Sequence, residues 1–271
     1  MNIGGCAFVI GGGSGISRAA SIAFAKESAR GLLVADIDLE AAKRTVSDSK
    51  TAATNPEFRA EAFQLDVTLP DQVQKAVTYM VETFGRIDYC VNGAGVTGKG
   101  FAHIADTSFE QFQTVLDVNV NGLFHVLSAV SAAMKTQEPQ LVDASSPGRG
   151  MSRGAIVNLA SVSSFRGLPY ASSYTTSKHA VVGLTRVAAL DNIKYNIRVN
   201  CVCPSWVDTP MVTRISNVTE GFEKVMLSQL PMGRLAAPEE IADAIIFLSS
   251  PRSSWVNGSS MVIDGAMSIR P

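Results

Sequence analysis

The stretch CAFVIGGGSGISRAASIAFAKES, residues 6–28, decides the fold. Cys6 to Ile10 form a short apolar run that ends in glycines, and Ile16, Ala20, Ala23 and Phe24 then recur at helical spacing. Strand, glycine-rich turn and helix follow one another directly. Such a turn aims backbone amides from a helix N-terminus, where they and the helix dipole attract phosphate. Gly11 stands where the chain must turn sharply and Gly15 where a phosphate would touch the backbone, but the third glycine of the usual pattern is Ser17. A serine there adds a Cβ and a hydroxyl at a helix-strand contact. If that overpacks it costs on the order of 1–3 kcal/mol, and the backbone donors stay in place.

The alternation continues along the chain. GLLVAD (31–36), AEAFQLDV (60–67), RIDYCVNGAG (86–95), GAIVNLAS (154–161), IRVNCVCP (197–204) and SSMVIDG (259–265) read as strands. Between them lie helical patterns over 39–50, over 73–84 with Val73, Val77, Met80, Val81 and Phe84 on one face, and over 173–192 and 238–249; one long helix is expected over 107–135. Strands apolar on both faces and alternating with helices predict an α/β, doubly wound parallel sheet of the Rossmann type, in a single domain over residues 1–271. The polar, Gly-, Pro- and Ser-rich segment 137–153 reads as a solvated inserted loop rather than a lid, at the sheet end opposite the strand C-termini where ligands bind in such folds.

Composition narrows the partners. A formal net charge of -1 over 271 residues provides no basic field to collect nucleic acid or anionic lipid, so a small-molecule substrate is expected. No cationic stretch precedes the first apolar run, and no uninterrupted apolar stretch approaches the roughly 20 residues of a membrane span, which points to a cytoplasmic protein. Cys6, Cys90, Cys201 and Cys203 all fall in strand-like runs and read as core thiols. Cys201 and Cys203 lack C-x-x-C spacing and a histidine partner, so no metal site is expected.

Two further features carry chemistry. Asp36, 21 residues beyond Gly15 at the end of the second strand, can accept hydrogen bonds from both hydroxyls of an adenosine ribose and would repel a 2′-phosphate. Ser14 stands where a base could neutralise such a phosphate, so NAD is favoured over NADP. In YTTSK (174–178), Tyr174 and Lys178 are four residues apart on one helix face, and Lys178 can lower the tyrosine pKa from its ordinary value near 10. Ser161 ends the fifth strand, from which its hydroxyl can reach a substrate oxygen.

With these motifs in this order over nearly its whole length, the chain resembles the short-chain dehydrogenase/reductase family. GGGSGIS (11–17) resembles the family's T-G-x-x-x-G-x-G, LDV (65–67) its D-V adenine contact, NGAG (92–95) its N-N-A-G, NVNG (119–122) the helix with the tetrad asparagine, and PSWVDTP (204–210) its P-G segment. Ile10, Ser17, Gly93 and Ser205 depart from that pattern. The resemblance implies a catalytic tetrad of Asn119, Ser161, Tyr174 and Lys178. It also implies a cofactor site made of Gly11, Gly13, Ser14, Gly15, Ile16, Asp36, Ile37, Asp66, Val67, Asn92, Gly93, Ala94, Tyr174, Lys178, Pro204, Val207 and Thr209.

The implied activity is NAD-dependent interconversion of a secondary alcohol and a ketone, with Tyr174 as general acid/base, Ser161 on the reacting oxygen, Lys178 on the nicotinamide ribose and Asn119 holding a relay water. A redox-neutral cyclase or isomerase, or a nicotinamide-sensing regulator, on the same scaffold is the alternative. Candidate pocket segments are VTGKGF (96–101), VSSFRGL (162–168) and a substrate loop at about 205–230, whose helical pattern is weak. Apolar residues on more than one face of the helices near 107–135 and 173–193, among them Leu123, Phe124, Val126, Leu127, Ala129 and Val130, predict a homodimer or homotetramer.

Overall fold

The computed structural model describes residues 3–98, 102–218 and 221–269. Its centre is a seven-stranded sheet in the order β3-β2-β1-β4-β7-β8-β9, every neighbouring pair parallel. The strands are β1 (Cys6–Ile10), β2 (Gly31–Asp36), β3 (Arg59–Gln64), β4 (Tyr89–Asn92), β7 (Gly154–Leu159), β8 (Ile197–Pro204) and β9 (Ser260–Ile263). The fold is α/β and Rossmann-type. Period-two alternation divides the core. Cys6, Phe8 and Ile10 of β1 join the cluster under helices α3 (Pro70–Phe84), α5 (Leu123–Thr136) and α6 (Ser172–Asn192). Ala7 and Val9 join the opposite cluster under α1 (Gly15–Lys26), α2 (Leu39–Ala52) and α9 (Pro238–Ser249).

Several segments differ from the sequence expectation, each for a local reason. β3 stops at Gln64 rather than running on to Val67, because Asp66 folds back on itself: its Oδ1 accepts from the Thr68 amide at 2.9 Å and the Thr68 hydroxyl at 2.7 Å. The helix expected over 107–135 is α4 (Phe109–Leu116) and α5 joined by a π-turn over Asp117–Gly122. Gly122 of that turn lies so close to Val67 that a Cβ would stand 2.6 Å from its Cγ2. The segment after Pro204, where the helical pattern is weak, contains α7 (Pro210–Val218) and α8 (Phe222–Gln229).

The inserted segment carries a small antiparallel ribbon, β5 (Gln140–Leu141) with β6 (Met151–Ser152), where a plain loop was expected. Gln137 anchors it to the N-terminal side of β4 and β7: the side-chain amide accepts from Ile87 N at 2.6 Å and donates to the carbonyls of Ile87 and Arg153 at 3.0 and 2.8 Å.

Strand order reverses beside β1, whose neighbours are β2 and β4. Connections leave the sheet on opposite faces there and open a crevice at the strand C-termini.

Candidate active site

That crevice is a cavity of about 710 Å³. Its floor is the turn between β1 and α1. Gly11 has φ of 69°, and a Cβ on it would stand 2.7 Å from the Ala94 amide nitrogen, so only glycine lets the turn lie against the segment leaving β4. Gly13 packs as closely: a Cβ would meet Ala41 Cβ at 2.7 Å and Asp36 Oδ2 at 2.9 Å.

Helix α1 then begins at Gly15 with no side-chain cap from Ser14 and no acid in its first turn. By contrast α2 is capped by Asp38, which accepts from Ala41 N at 3.0 Å, and α4 by Ser108, which accepts from Gln111 N at 3.2 Å. An uncapped helix start facing a cavity offers its free amides to an anion. The residues present fit a dinucleotide pyrophosphate.

Asp36 stands beside the turn. Its Oδ2 accepts from Gly13 N at 2.8 Å and its Oδ1 from Asp38 N at 3.0 Å, so the carboxylate is held in one orientation with lone pairs left for a ligand. Ile37, Asp66 and Val67 continue this arm of the wall, together with Asp38, Ala41, Arg44 and Leu65, which sequence reasoning did not single out for the site. Arg44 lies 4.0 Å from Asp38, eight residues beyond Asp36 on α2; only the tertiary path of that helix brings it to the cavity.

At the other arm, Ser161, Tyr174 and Lys178 share the wall. Ser161 ends the β7 exit and caps the short turn Val162–Ser164, its Oγ accepting from Ser163 N at 3.1 Å. Lys178 is buried and donates from Nζ to the Leu159 carbonyl at 2.8 Å, 5.6 Å from the Tyr174 ring centre. Desolvation pulls its pKa down to about 8. Tyr174 differs from expectation: burial raises its phenol above the ordinary value, and the Ser161 hydroxyl offsets part of that rise. The lysine charge is directed at Leu159 and sits over the ring, so desolvation dominates.

Most of the other expected cofactor residues line the cavity as well: Gly11, Gly13, Ser14, Gly15, Ile16, Gly93, Ala94, Pro204, Val207 and Thr209. Asn92 and Asn119 do not. Asn92 is buried and donates to the Leu123 carbonyl at 3.3 Å, which ties β4 to α5. Asn119, in the π-turn, donates from Nδ2 to the Val96 carbonyl at 2.9 Å and to Ser177 Oγ at 3.0 Å, while its Oδ1 accepts from Val96 N at 2.8 Å. Val96 and Thr97 reach the cavity; Lys99, Gly100 and Phe101 of the same candidate segment lie outside the described residues. Met267, from the far end of the chain, also lines it, and no local pattern marks it out.

All four cysteines are buried and unpaired, with Cys201 Sγ and Cys203 Sγ 4.0 Å apart. Among the described residues no three His, Cys, Asp or Glu side chains come together as metal ligands.

Comparison with known proteins places this geometry. A family profile described as enoyl-(acyl carrier protein) reductase matches residues 11–268. The short-chain dehydrogenase fogB of Aspergillus ruber is 52% identical over 269 residues, covering 99% of this chain and 98% of its own. The solved structure of levodione reductase superposes with a TM-score of 0.87 at 31% identity, covering 98% of each chain. That of NAD+-bound xylitol dehydrogenase does so with 0.81 at 30% identity, covering 96% of each. Glycine turn, uncapped helix, strand order and whole-length likeness agree, and the chain belongs to the short-chain dehydrogenase/reductase family of oxidoreductases.

Proposed function

We propose that the protein interconverts a secondary alcohol and a ketone with NAD(H), with Tyr174 as the general acid/base. One observation carries this: Ser161, Tyr174 and Lys178 line the same cavity as the uncapped start of α1 and the fixed carboxylate of Asp36. The NAD+ held by the related xylitol dehydrogenase supports the choice of cofactor.

The backbone from Gly11 to Ile16 holds the pyrophosphate, Asp36 and Ile37 the adenosine ribose, Asp66 and Val67 the adenine, and Ala94, Pro204, Val207 and Thr209 flank the nicotinamide half. When bound, the oxidised nicotinamide would supply the hydride acceptor. Tyr174, as the phenolate, takes the alcohol proton on Oη and becomes the phenol, Ser161 Oγ hydrogen-bonds the same oxygen, and Lys178 keeps a cation next to the phenolate until the proton arrives. Asn119 is a positioning residue. It holds Ser177, whose Oγ donates to the Tyr174 carbonyl at 2.7 Å. Its side-chain amide is committed, both hydrogens going to the Val96 carbonyl and Ser177 Oγ, which leaves neither for a relay water. In the direction of ketone reduction each proton moves back along the same path.

The test is a screen of secondary alcohols with NAD+ and ketones with NADH, followed at the absorbance of the reduced nicotinamide, with Tyr174→Phe alongside. Stoichiometric turnover is expected, falling by about two orders of magnitude or more in the variant at nearly unchanged NADH affinity. Product formed without any change in reduced nicotinamide would establish a redox-neutral reaction instead.

A further inference from the structure

The cavity is electrically divided. Its acids, Asp36, Asp38 and Asp66, all lie on the β2–β3 side, with Arg44 as the base among them. From Gly93 onward the described wall contains no acid and three cations, Arg166, Lys178 and Arg214. β2 and β7 are three strand spacings apart in the sheet, on the order of 14 Å, so these charges do not cancel at contact distance. The nearby Asp264 offers no compensation: it is outside the wall and is bound to its own loop, accepting from Ala266 N at 3.0 Å and Ser268 N at 2.6 Å.

Two of the three cations are accounted for. Lys178 is held on the Leu159 carbonyl beside Tyr174. Arg214 donates from Nε to the Pro210 carbonyl at 3.2 Å, one helical turn from Thr209, whose Cγ2 lies 3.2 Å from the space a Cβ on Gly15 would fill. Its helix α7 thus starts beside the pyrophosphate turn. Arg166 has neither a hydrogen bond nor an ion pair with any described residue and stands on the wall between Ser163 and Leu168, five residues beyond Ser161. Much of the surface completing that arm is apolar, from Val162, Leu168, Trp206, Met211, Ile215 and Met267, with Ser163 and Ser205 beside them.

From this we infer, resting on the dehydrogenase reading above, that the substrate is a hydrophobic alcohol or ketone bearing an anionic oxygen group, a carboxylate or phosphate, which Arg166 receives. A guanidinium presents two parallel donors to such a group, and a ligand that fills the apolar arm displaces the water that otherwise screens an exposed pair. Arg166 then selects substrate, while the reacting oxygen remains with Ser161 and Tyr174.

The experiment titrates the enzyme with NADH and follows its fluorescence, then titrates that complex with cyclohexanecarboxylate, cyclohexyl phosphate and the neutral isostere cyclohexanecarboxamide. At least one anion is expected to bind about tenfold or more tighter than the carboxamide. The two anions show which group is read. Arg166→Gln should erase the preference and Arg166→Lys retain part of it, because lysine keeps the charge without the fork. Absence of any anion preference in the wild type, including no binding of any of the three, overturns the inference, as does a preference that survives Arg166→Gln. Failure to bind NADH at the first titration would instead overturn the dehydrogenase reading.

Discussion

Ser17 and Gly93 share one space. A Cβ added to Gly93 would overlap the Ser17 Oγ and stand 3.3 Å from both the Ile10 carbonyl oxygen and Leu159 Cδ2. The two departures from the family pattern, a serine for glycine and a glycine for asparagine, are therefore size-complementary: the hydroxyl fills what the missing side chain vacates. Ser17→Gly alone should change NADH affinity by less than about threefold, roughly 0.7 kcal/mol, since the phosphate donors are backbone amides. Gly93→Ala should lower thermal stability through overpacking worth about 1–3 kcal/mol and weaken NADH, and adding Ser17→Gly should recover much of both. Strictly additive losses in the double variant, read by thermal unfolding and NADH fluorescence, would show that the two sites are independent.

Lys178 makes a second prediction at this scale. Its folded pKa near 8 lies below the unfolded value of about 10.4, so between those values the unfolded chain holds the extra proton and stability rises with pH. Below about pH 8 both states are protonated and the burial penalty is felt in full. Relative to Lys178→Met, the wild type should gain on the order of 3 kcal/mol between pH 8 and 10.5 in denaturant unfolding. Parallel curves across that window would contradict a buried, desolvated amine.

Helices explain where expected and observed surfaces part. Of the apolar residues expected to leave an uncovered face, Leu123, Val126, Leu127 and Val130 are buried in the protein's own core, because α5 packs on the sheet and also against α3 and α6. The helical run Phe109–Thr136 is long and apolar enough by length and composition to cross a membrane, and this packing accounts for its buried stripe. What stays outside is more limited: Phe109 and Phe124 on the α4–α5 run, and Val187, Leu190 and Ile193 at the C-terminal part of α6 and the turn after it, between 55% and 77% exposed. Exposed apolar side chains on these two helices are what the expected association would cover. The protein is expected to be dimeric or tetrameric at micromolar concentration by light scattering, and the double substitution Phe124→Glu with Leu190→Glu should lower its mass by desolvating charges in the contact. A monomeric wild type would contradict this.

Across the whole molecule, ligand binding is coupled to stability through the crevice that two sheet halves share. NADH at about 100 times its dissociation constant should stabilise the protein by about 2.7 kcal/mol and raise its melting temperature by several degrees. NADPH at the same concentration should give less, by about 1.4 kcal/mol for a tenfold weaker complex, and Asp36→Ala should narrow the gap. Equal shifts would contradict the role of the Asp36 carboxylate, and Arg44 beside Asp38 would become the residue to substitute next. The layered fold, the phosphate turn and the three polar residues Ser161, Tyr174 and Lys178 were legible in the chain itself, because each depends on local spacing: apolar runs of strand length, a glycine at a positive φ, side chains one helical turn apart. Spacing says which residues stand near a strand end but not which way an amide side chain turns: Asn92 and Asn119 spend theirs on the Leu123 and Val96 carbonyls. Arg44 and Met267 reach the cavity, Ser17 meets Gly93, and burial raises the Tyr174 phenol only in the folded protein. These depend on distances between segments far apart in the chain and on exclusion of water, and both are set when the layers pack.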